Sequence, residues 1–246
     1  MTKNVVIIIP ARYKSSRFPG KPLVNILGKT MIKHVWEVCS KAINHKNVYI
    51  ATDDTRIYNH CLSENMNVIM TSQKCLTGTD RVYEASRKIK ANYYLNIQGD
   101  EPLININDIK KMIKSLKYVN DKTLINAQCA ITKEEDYQNV NIPKCVSDLN
   151  NYLLFMSRAQ IPSNKLQKFR QAKKQVCIYG FKKNQLKEFY NYGMKTPLEK
   201  IEDIEILRFL EMGYKVKMID VSKSSVAVDV PADVKQVIKI LKQRNK

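Results

Sequence analysis

The sequence predicts an α/β protein whose central sheet is Rossmann-like, mixed but mainly parallel, with helices on both faces. Three segments predict it. Residues 5–9 form a short β-branched run, Met31–Ala42 repeats apolar residues at helical spacing, and residues 47–54 form a second apolar run ending in acidic residues. Short apolar runs are typical of buried parallel strands, and the spacing is typical of an amphipathic helix. Because the segments alternate, βαβ units are expected.

The next segments continue this alternation. A helix around Cys61 precedes a third strand over residues 67–71, and another helix is expected over residues 82–89. Thr79 or Asp80 is expected to cap that helix, although the Thr-Gly-Thr run before it is also a candidate ligand loop. With 246 residues and 44% hydrophobic content, the chain can bury one full core. We therefore expect a single domain over residues 1–246.

Towards the C-terminus the pattern changes. Residues 134–192 are rich in Asn, Gln and Lys and predict hairpins and loops rather than further βαβ units. Apolar residues then return at helical spacing from Ile201 to Met212, which predicts a helix.

A basic loop over residues 10–22 lies between the first strand and the first helix. It carries Arg12, Arg17 and Lys21 between prolines and a glycine. Ligands of open parallel sheets bind at the carboxyl ends of strands, and guanidinium and ammonium groups suit phosphate oxygens. The loop predicts a polyphosphate site, and the alternative is a solvated basic loop.

A second strand end is acidic. Residues 93–97 predict a strand that runs into Gln98, Gly99, Asp100 and Glu101. Magnesium takes oxygen ligands and shares them between one or two carboxylates and substrate phosphates. This strand end is a candidate magnesium site, and a plain turn is the alternative.

The net charge of the chain says little about which partners it binds. The formal net charge of +19 invites a nucleic-acid-binding function, because basic surfaces attract phosphate backbones regardless of sequence. The lysines are spread through predicted amphipathic helices, and no nucleic-acid recognition motif is present. We expect an anionic small substrate and no nucleic acid, with a basic nucleic-acid-binding protein on the same scaffold as the alternative from another class.

The cysteines and the apolar runs bear on the compartment. Six cysteines are scattered without close pairs, which argues against a zinc site or a disulfide framework. The run at residues 5–9 is too short to span a bilayer and lacks a cleavage site, so no membrane association and a cytoplasmic location are expected.

Taken in order, these motifs resemble the 3-deoxy-manno-octulosonate (KDO) cytidylyltransferases, among the sugar nucleotidyltransferases. The resemblance covers nearly the whole chain. Its matching pieces are residues 9–12, 16–22, 31–32, 34–35, 51–53, 70–71, 78–79, 96–102, 155, 157–159, 161–162, 178–180, 197–199, 201–202, 228–229 and 231. It implies the nucleotide-diphospho-sugar transferase fold, and transfer of a cytidylyl group from CTP to the anomeric hydroxyl of KDO or a close relative.

The resemblance also implies site residues. Arg12, Lys21 and Asp100 would be catalytic, and Asp100 and Asp229 would hold Mg²⁺. Asp229 alone could instead be an ordinary cap of the last helix. The nucleotide would be bound by Pro10, Ala11, Arg12, Arg17, Lys21, Thr71, Gly78 and Gln98.

For the acceptor, the resemblance implies that Arg158 binds the substrate carboxylate. Gln175, Tyr179, Glu202 and Glu205 would complete a sugar-binding set. Gln175, Phe181 and Ile206 stand where the family usually has His, Tyr and Gln. If all three face the sugar, the pocket is less polar, which leaves a variant octulosonate or a nonulosonate as an alternative acceptor.

The assembly and pathway are also implied by the resemblance. Residues 134–192 resemble the family's inserted dimerisation subregion, so a homodimer is expected. The product would enter lipopolysaccharide, capsule or another surface polysaccharide.

Overall fold

The structure is a computed structural model that describes residues 4–15, 17–223 and 227–244. Ser16, part of the predicted phosphate loop, lies outside the described residues. Eleven strands lie within the described ranges: β1 (Val5–Ala11), β2 (Asn25–Ile26), β3 (Lys29–Thr30), β4 (Val48–Thr52), β5 (Val68–Met70), β6 (Tyr93–Ile97), β7 (Thr123–Ile131), β8 (Lys144–Ser147), β9 (Leu153–Ser157), β10 (Ala172–Phe181) and β11 (Lys215–Asp220).

The same part of the chain contains nine α-helices and three short 3₁₀ turns. The helices are α1 (Met31–Ala42), α2 (Thr55–Ser63), α3 (Gly78–Lys88), α4 (Ile106–Ser115), α5 (Glu134–Gln138), α6 (Lys183–Asn191), α7 (Pro197–Glu202), α8 (Ile206–Glu211) and α9 (Pro231–Arg244). The 3₁₀ turns are Lys21–Leu23, His45–Asn47 and Leu116–Tyr118. None of these helices is long and apolar enough to cross a bilayer.

The main sheet has the strand order β11-β7-β10-β6-β1-β4-β5. Strands β6, β1, β4 and β5 are mutually parallel, as are β11 and β7. Strand β10 runs antiparallel to both of its neighbours, β6 and β7, and so joins the two parallel groups. The predicted mixed, mainly parallel sheet is confirmed.

Strand β1 shows why helices cover both faces of the sheet. Successive side chains of a strand point to opposite faces. Ile7 and Ile9 pack in one apolar cluster with residues of α1, α2 and α4. Val6 and Ile8 pack in another cluster with residues of α3, α6 and α8. Because both faces of β1 are buried, its sequence is a continuous apolar run rather than an alternating one.

Two predictions about local structure are wrong. Thr77, not Thr79 or Asp80, is the N-cap of α3, and Asp80 completes a capping box with it. The helix predicted from Ile201 to Met212 is two short helices, because Asp203 between them has a left-handed backbone (φ 50°). Ile201, on the predicted apolar face, is exposed.

The predicted subregion over residues 134–192 does not stand apart along its whole length. Its later part, β10, lies in the middle of the main sheet, and Phe181 at its end is fully buried. Only α5 and the β8–β9 hairpin, which pairs with the first half of β10, lie beside the main strands. The predicted bounds of 134–192 therefore include a strand of the main sheet.

Candidate active site

A cleft of about 410 Å³ lies at the carboxyl ends of β1 and β6, beside the N-terminus of α3. Parallel strands end at the same edge, which brings together loops that are far apart in sequence. The predicted residues that line this nucleotide cleft are Pro10, Ala11, Arg12, Arg17, Lys21, Gly78, Gln98, Asp100 and Asp229.

The basic loop is closed by its own contacts. The Gly20 N–H donates to the Tyr13 carbonyl at 2.9 Å, and Gly20 has a left-handed backbone (φ 73°). A Cβ at Gly20 would lie 3.0 Å from the Tyr13 ring, whose face is stacked on the Arg56 guanidinium at 3.3 Å. The loop therefore needs glycine at this position, and it leaves the Arg12 side chain exposed along the cleft.

Lys21 brings the two predicted metal ligands together. Its Nζ donates to Asp100 Oδ2 at 2.7 Å and to the Val228 carbonyl at 2.7 Å, and it lies 3.9 Å from Asp229 Oδ1. Arg17 Nη2 donates to the same Asp229 oxygen at 2.9 Å. The structure thus places Asp229 beside the cations of the loop, while Asp233 accepts the N–H groups of Asp229 and Val230 at the start of α9.

The chemistry of this pair fits Mg²⁺. Asp100 and Asp229 offer hard carboxylate oxygens, and both side chains are partly exposed. The described residues contain no group of three or more His, Cys, Asp and Glu that could enclose a metal. Magnesium is usually held by one or two carboxylates together with substrate phosphates and water, so two carboxylates beside a cationic loop are a suitable donor set.

Thr71 and Arg81 are hydrogen-bonded to each other at the edge of the nucleotide cleft. Thr71 is outside the cleft lining, and its hydroxyl accepts a hydrogen bond from Arg81 Nη1 at 2.6 Å. Arg81 does line the cleft, is almost fully buried and pairs with Asp53 at 3.1 Å. Arg81 was not predicted as a site residue, although it lies two positions after the Thr-Gly-Thr run.

A second cleft of about 440 Å³ adjoins the first and shares Gln98, Asp100 and Glu205 with it. Four of the five predicted sugar-binding residues line it: Arg158, Gln175, Tyr179 and Glu205. The fifth, Glu202, is outside the lining. Its carboxylate accepts from the Ser157 hydroxyl at 2.6 Å and from the Arg158 N–H at 2.9 Å. Glu202 therefore supports Arg158 from behind this acceptor cleft.

The Arg158 guanidinium is held by backbone carbonyls on three sides. Nε donates to Glu202, Nη1 to Val140 and Nη2 to Asp203, at 2.5, 3.0 and 3.0 Å. A guanidinium has five N–H groups, so these three hydrogen bonds leave one N–H on each Nη. A guanidinium group is chemically suited to bind a carboxylate.

A buried lysine completes the support of Arg158. Lys144 is fully buried, and its Nζ donates to the carbonyls of Arg158 at 2.6 Å and Asn139 at 3.0 Å. Burial, and secondly the charge of Arg158, lower the pKa of Lys144. Lys144 and Glu202 therefore hold the backbone of Arg158 from two sides, which fixes where its side chain starts.

Of the three departures from the family pattern, only Gln175 lines the acceptor cleft. Gln175 Nε2 donates to Asn126 Oδ1 at 3.1 Å and lies 3.2 Å from the Tyr179 hydroxyl. Phe181 is fully buried and stacked on Phe209, with ring centroids 5.3 Å apart. Ile206 is buried in the same apolar cluster. The expectation that all three face the sugar is wrong, because two of them are core residues.

Glu101, part of the acidic strand end predicted as a candidate magnesium site, instead faces β10. Its carboxylate is almost fully buried and accepts the Cys177 N–H at 3.0 Å, at the irregular step in β10 between Val176 and Tyr179. This hydrogen bond ties the acidic strand end of the nucleotide cleft to the strand that lines the acceptor cleft.

Lys195 and Asp203 also went unassigned, and no local sequence signal marks them. They form an ion pair at 2.5 Å at the mouth of the nucleotide cleft. The hydrogen bond from Lys195 is the largest of the effects that lower the pKa of Asp203.

A buried ion network fastens α8 to the rest of the site. The fully buried Arg208 donates to both Glu199 oxygens, at 2.6 and 2.7 Å, and to Asp80 at 3.3 Å. Burial raises the pKa of Asp80, while the charge of Arg208 opposes that shift. Because Asp80 belongs to the α3 capping box and Glu199 to that of α7, the network fastens α3, α7 and α8 together.

Cations beside a carboxylate pair suit nucleotidyl transfer, which needs a positioned polyphosphate and neutralisation of its charge. The comparison with known proteins agrees. Residues 6–219 match the family model of the cytidylyltransferases. The chain is 41% identical to the mitochondrial 3-deoxy-manno-octulosonate cytidylyltransferase of Arabidopsis thaliana, over 98% of this chain and 84% of the plant protein.

Two further proteins are similar to this chain over almost the whole length of both proteins. The 3-deoxy-manno-octulosonate cytidylyltransferase of Protochlamydia amoebophila is 38% identical, over 100% of this chain and 97% of that protein. The solved structure of CMP:2-keto-3-deoxy-manno-octonic acid synthetase complexed with CTP superposes with a TM-score of 0.87, at 32% identity over 98% of this chain and 99% of that one. The chain belongs to the 3-deoxy-manno-octulosonate cytidylyltransferase family, and the resemblance seen in its motifs is confirmed.

Proposed function

We propose that the protein transfers the cytidylyl group of CTP to the anomeric 2-hydroxyl of KDO, giving CMP-KDO and pyrophosphate. One observation carries this proposal. Two contiguous clefts share Arg17 and Asp100, and one is also lined by Arg12 and Lys21 while the other is lined by Arg158. A triphosphate and a sugar acid are both anions, and the cations of the loop suit the first while the Arg158 guanidinium suits the carboxylate of the second. The similar synthetase structure with CTP supports the choice of nucleotide.

The reaction is a substitution at phosphorus. The anomeric oxygen forms a bond to the α-phosphorus, the bond from that phosphorus to the bridging oxygen breaks, and pyrophosphate leaves while the hydroxyl proton is released. Such transfers depend on positioning and charge neutralisation rather than on a covalent protein nucleophile. Arg12 and Lys21 would neutralise phosphate oxygens, and Arg158 would orient the acceptor through its carboxylate.

Asp100 and Asp229 are the residues that would hold Mg²⁺. When bound, the ion would supply positive charge to the phosphate oxygens and polarise groups that it touches. Lys21 contacts Asp100 directly and lies beside Asp229, so it would keep the two carboxylates oriented towards the phosphates.

We also propose a cytoplasmic homodimer whose product enters a surface polysaccharide. The β8–β9 hairpin supports the dimer, because β9 pairs only with β8 among the described strands and Leu154 on it is exposed. An unpaired strand edge with an exposed apolar side chain favours contact with another chain. Light scattering behind size-exclusion chromatography tests it, since a monomeric mass would contradict the dimer.

The first experiment is a pyrophosphate-release assay with Mg²⁺. CTP, UTP, ATP and GTP are each offered with KDO, with a variant octulosonate and with a nonulosonate. We expect release with CTP and KDO. Release with CTP and only another acid would move the acceptor assignment while leaving the nucleotide assignment in place.

The same preparation tests the nucleic-acid alternative. Binding to duplex DNA or to RNA should be weak at physiological salt if the positive charge is spread over solvated helices. Tight binding whose affinity falls steeply with salt, together with no CTP turnover, would favour the nucleic-acid function instead.

A further inference from the structure

Glu205 lies where the two clefts meet, and both of its carboxylate oxygens already accept hydrogen bonds. Oε2 accepts the Thr79 N–H at 3.1 Å, and Oε1 accepts from Gln98 Nε2 at 3.2 Å. Thr79 is in the first turn of α3, where the helix dipole favours a negative charge. The resemblance makes Glu205 a sugar-binding residue. Glu205 and Gln98 line both clefts, and the contact with Thr79, which follows Gly78 of the nucleotide cleft, ties Glu205 to the nucleotide side as well.

The Gln98 amide is confined by its neighbours. It packs against Gly78, where a Cβ would lie 2.6 Å from Gln98 Nε2 and 3.3 Å from Oε1. A carboxylate only accepts hydrogen bonds, so the amide must turn its NH₂ group towards Glu205. Its carbonyl oxygen Oε1 then points away from Glu205, and no described residue donates a hydrogen bond to it.

We propose that Glu205 is a positioning residue that fixes the Gln98 amide so that Oε1 accepts a hydrogen bond from the nucleoside of CTP. CTP offers two kinds of donor, the 4-amino group of cytosine and the ribose hydroxyls. A carbonyl oxygen rejects a ligand that presents a second acceptor or no donor at all, because a hydrogen bond is then lost. This inference rests on the proposed use of CTP.

The test is the Glu205→Gln variant. A glutamine at position 205 offers one donor and one acceptor, so the Gln98 amide can take either orientation. We measure kcat/KM for CTP, UTP and 2′-deoxy-CTP with saturating KDO, and the KM for KDO. The ratio of kcat/KM for CTP to kcat/KM for the nucleotide that lacks the relevant donor should fall roughly tenfold. UTP reports on the amino group and deoxy-CTP on the 2′-hydroxyl.

Glu211→Gln is the matched control. It makes the same chemical change on α8, at a carboxylate that accepts the Leu198 and Glu199 N–H groups and lies outside both cleft linings. It should leave both nucleotide preferences unchanged.

The Gln98→Leu variant distinguishes a loss of Gln98 positioning by Glu205 from general damage to the fold. It should lower the same preference, and adding Glu205→Gln to it should cause no further loss, because Glu205 acts through the amide that has been removed. If Glu205→Gln does not fold, Gln98→Leu still tests the role of Oε1, and an unchanged preference contradicts the proposal.

One pattern would overturn the inference directly. A rise in the KM for KDO with both nucleotide preferences intact would make Glu205 an acceptor ligand. Absence of CTP turnover in the unmodified protein is a different result, because it would refute the proposed function rather than this role of Glu205.

Discussion

The nucleotide cleft and the acceptor cleft are built differently. The basic wall of the first is one continuous loop, residues 10–22, beside residues 98–100 at the end of an adjacent parallel strand. The second has the antiparallel β10 as a wall and takes Arg158 from the segment after β9, where Lys144 and Glu202 hold it in place. The cations of the first cleft therefore come from one local loop, whereas the Arg158 of the second is positioned by tertiary contacts between distant segments.

The largest expected effect is on the nucleotide side. Asp100→Asn should lower the rate of pyrophosphate release by about 10²–10³-fold, because a carboxylate that pairs with Lys21 and would hold Mg²⁺ is replaced by a neutral amide. The measurement is the initial rate at saturating substrates, with circular dichroism to show that the fold is kept.

The control for that prediction is Asp220→Asn. Asp220 is an exposed carboxylate on β11 that pairs with Lys173 outside both cleft linings. Loss of activity in both variants would show that the assay reports damage to the fold rather than the role of Asp100.

A smaller effect should separate the two clefts. Arg158→Lys replaces a fork fixed by three carbonyls with a single flexible ammonium group, so the KM for the acceptor should rise on the order of tenfold while the KM for CTP stays the same. Steady-state kinetics with each substrate varied in turn would show it.

Arg170→Lys is the matched control for this pair of measurements, because Arg170 is exposed and outside both cleft linings. Equal increases in both KM values for Arg158→Lys would contradict an acceptor-specific role and would weaken the distinction between the clefts.

The smallest effect concerns the mouth of the nucleotide cleft. Lys195→Met removes the main cause of the lowered Asp203 pKa, so that pKa should rise towards its ordinary value, as measured by NMR titration of the carboxyl group. Because the folded-state pKa is depressed, the pair stabilises the fold above the ordinary aspartate pKa, and this is lost as the pH falls through the folded-state pKa.

Wild type and Lys195→Met should therefore differ slightly in stability at neutral pH and converge in acid, since a partly exposed ion pair contributes little. Lys200→Met changes an exposed lysine of α7 and should leave the Asp203 titration unchanged. A constant stability difference at every pH would assign the effect to packing.

Sequence alone predicted the two halves of the site unequally, for physical reasons. The roles of the 10–22 loop and of Asp100 follow from local composition and from the rule that parallel strands end at one edge. Arg158 entered through the resemblance, because a single arginine between ordinary strand residues has no local signal. The support from Lys144 and Glu202 required coordinates, since it depends on contacts between segments that are not neighbours in sequence.

Phe181 and Ile206 show the opposite error. Matching positions suggested that both faced the sugar, but burial on the α8 side of the sheet places them in the core. The helix from Ile201 to Met212 failed for a related reason. Apolar spacing continues through Asp203, while the left-handed backbone there is compatible with aspartate and leaves no signature in the pattern.

The position of β10 has a consequence for synthesis on the ribosome. Strand β6 is complete at Ile97, but one of its two neighbours in the sheet is β10, which begins only at Ala172. Strand β7 likewise pairs with β11, which begins at Lys215. The parallel group made of β6, β1, β4 and β5 can assemble as soon as it emerges, while one edge of β6 stays open until far more chain has been translated. The nascent protein therefore acquires the strands behind the 10–22 loop first, and completes the sheet around β10 and β11 only near the end of elongation.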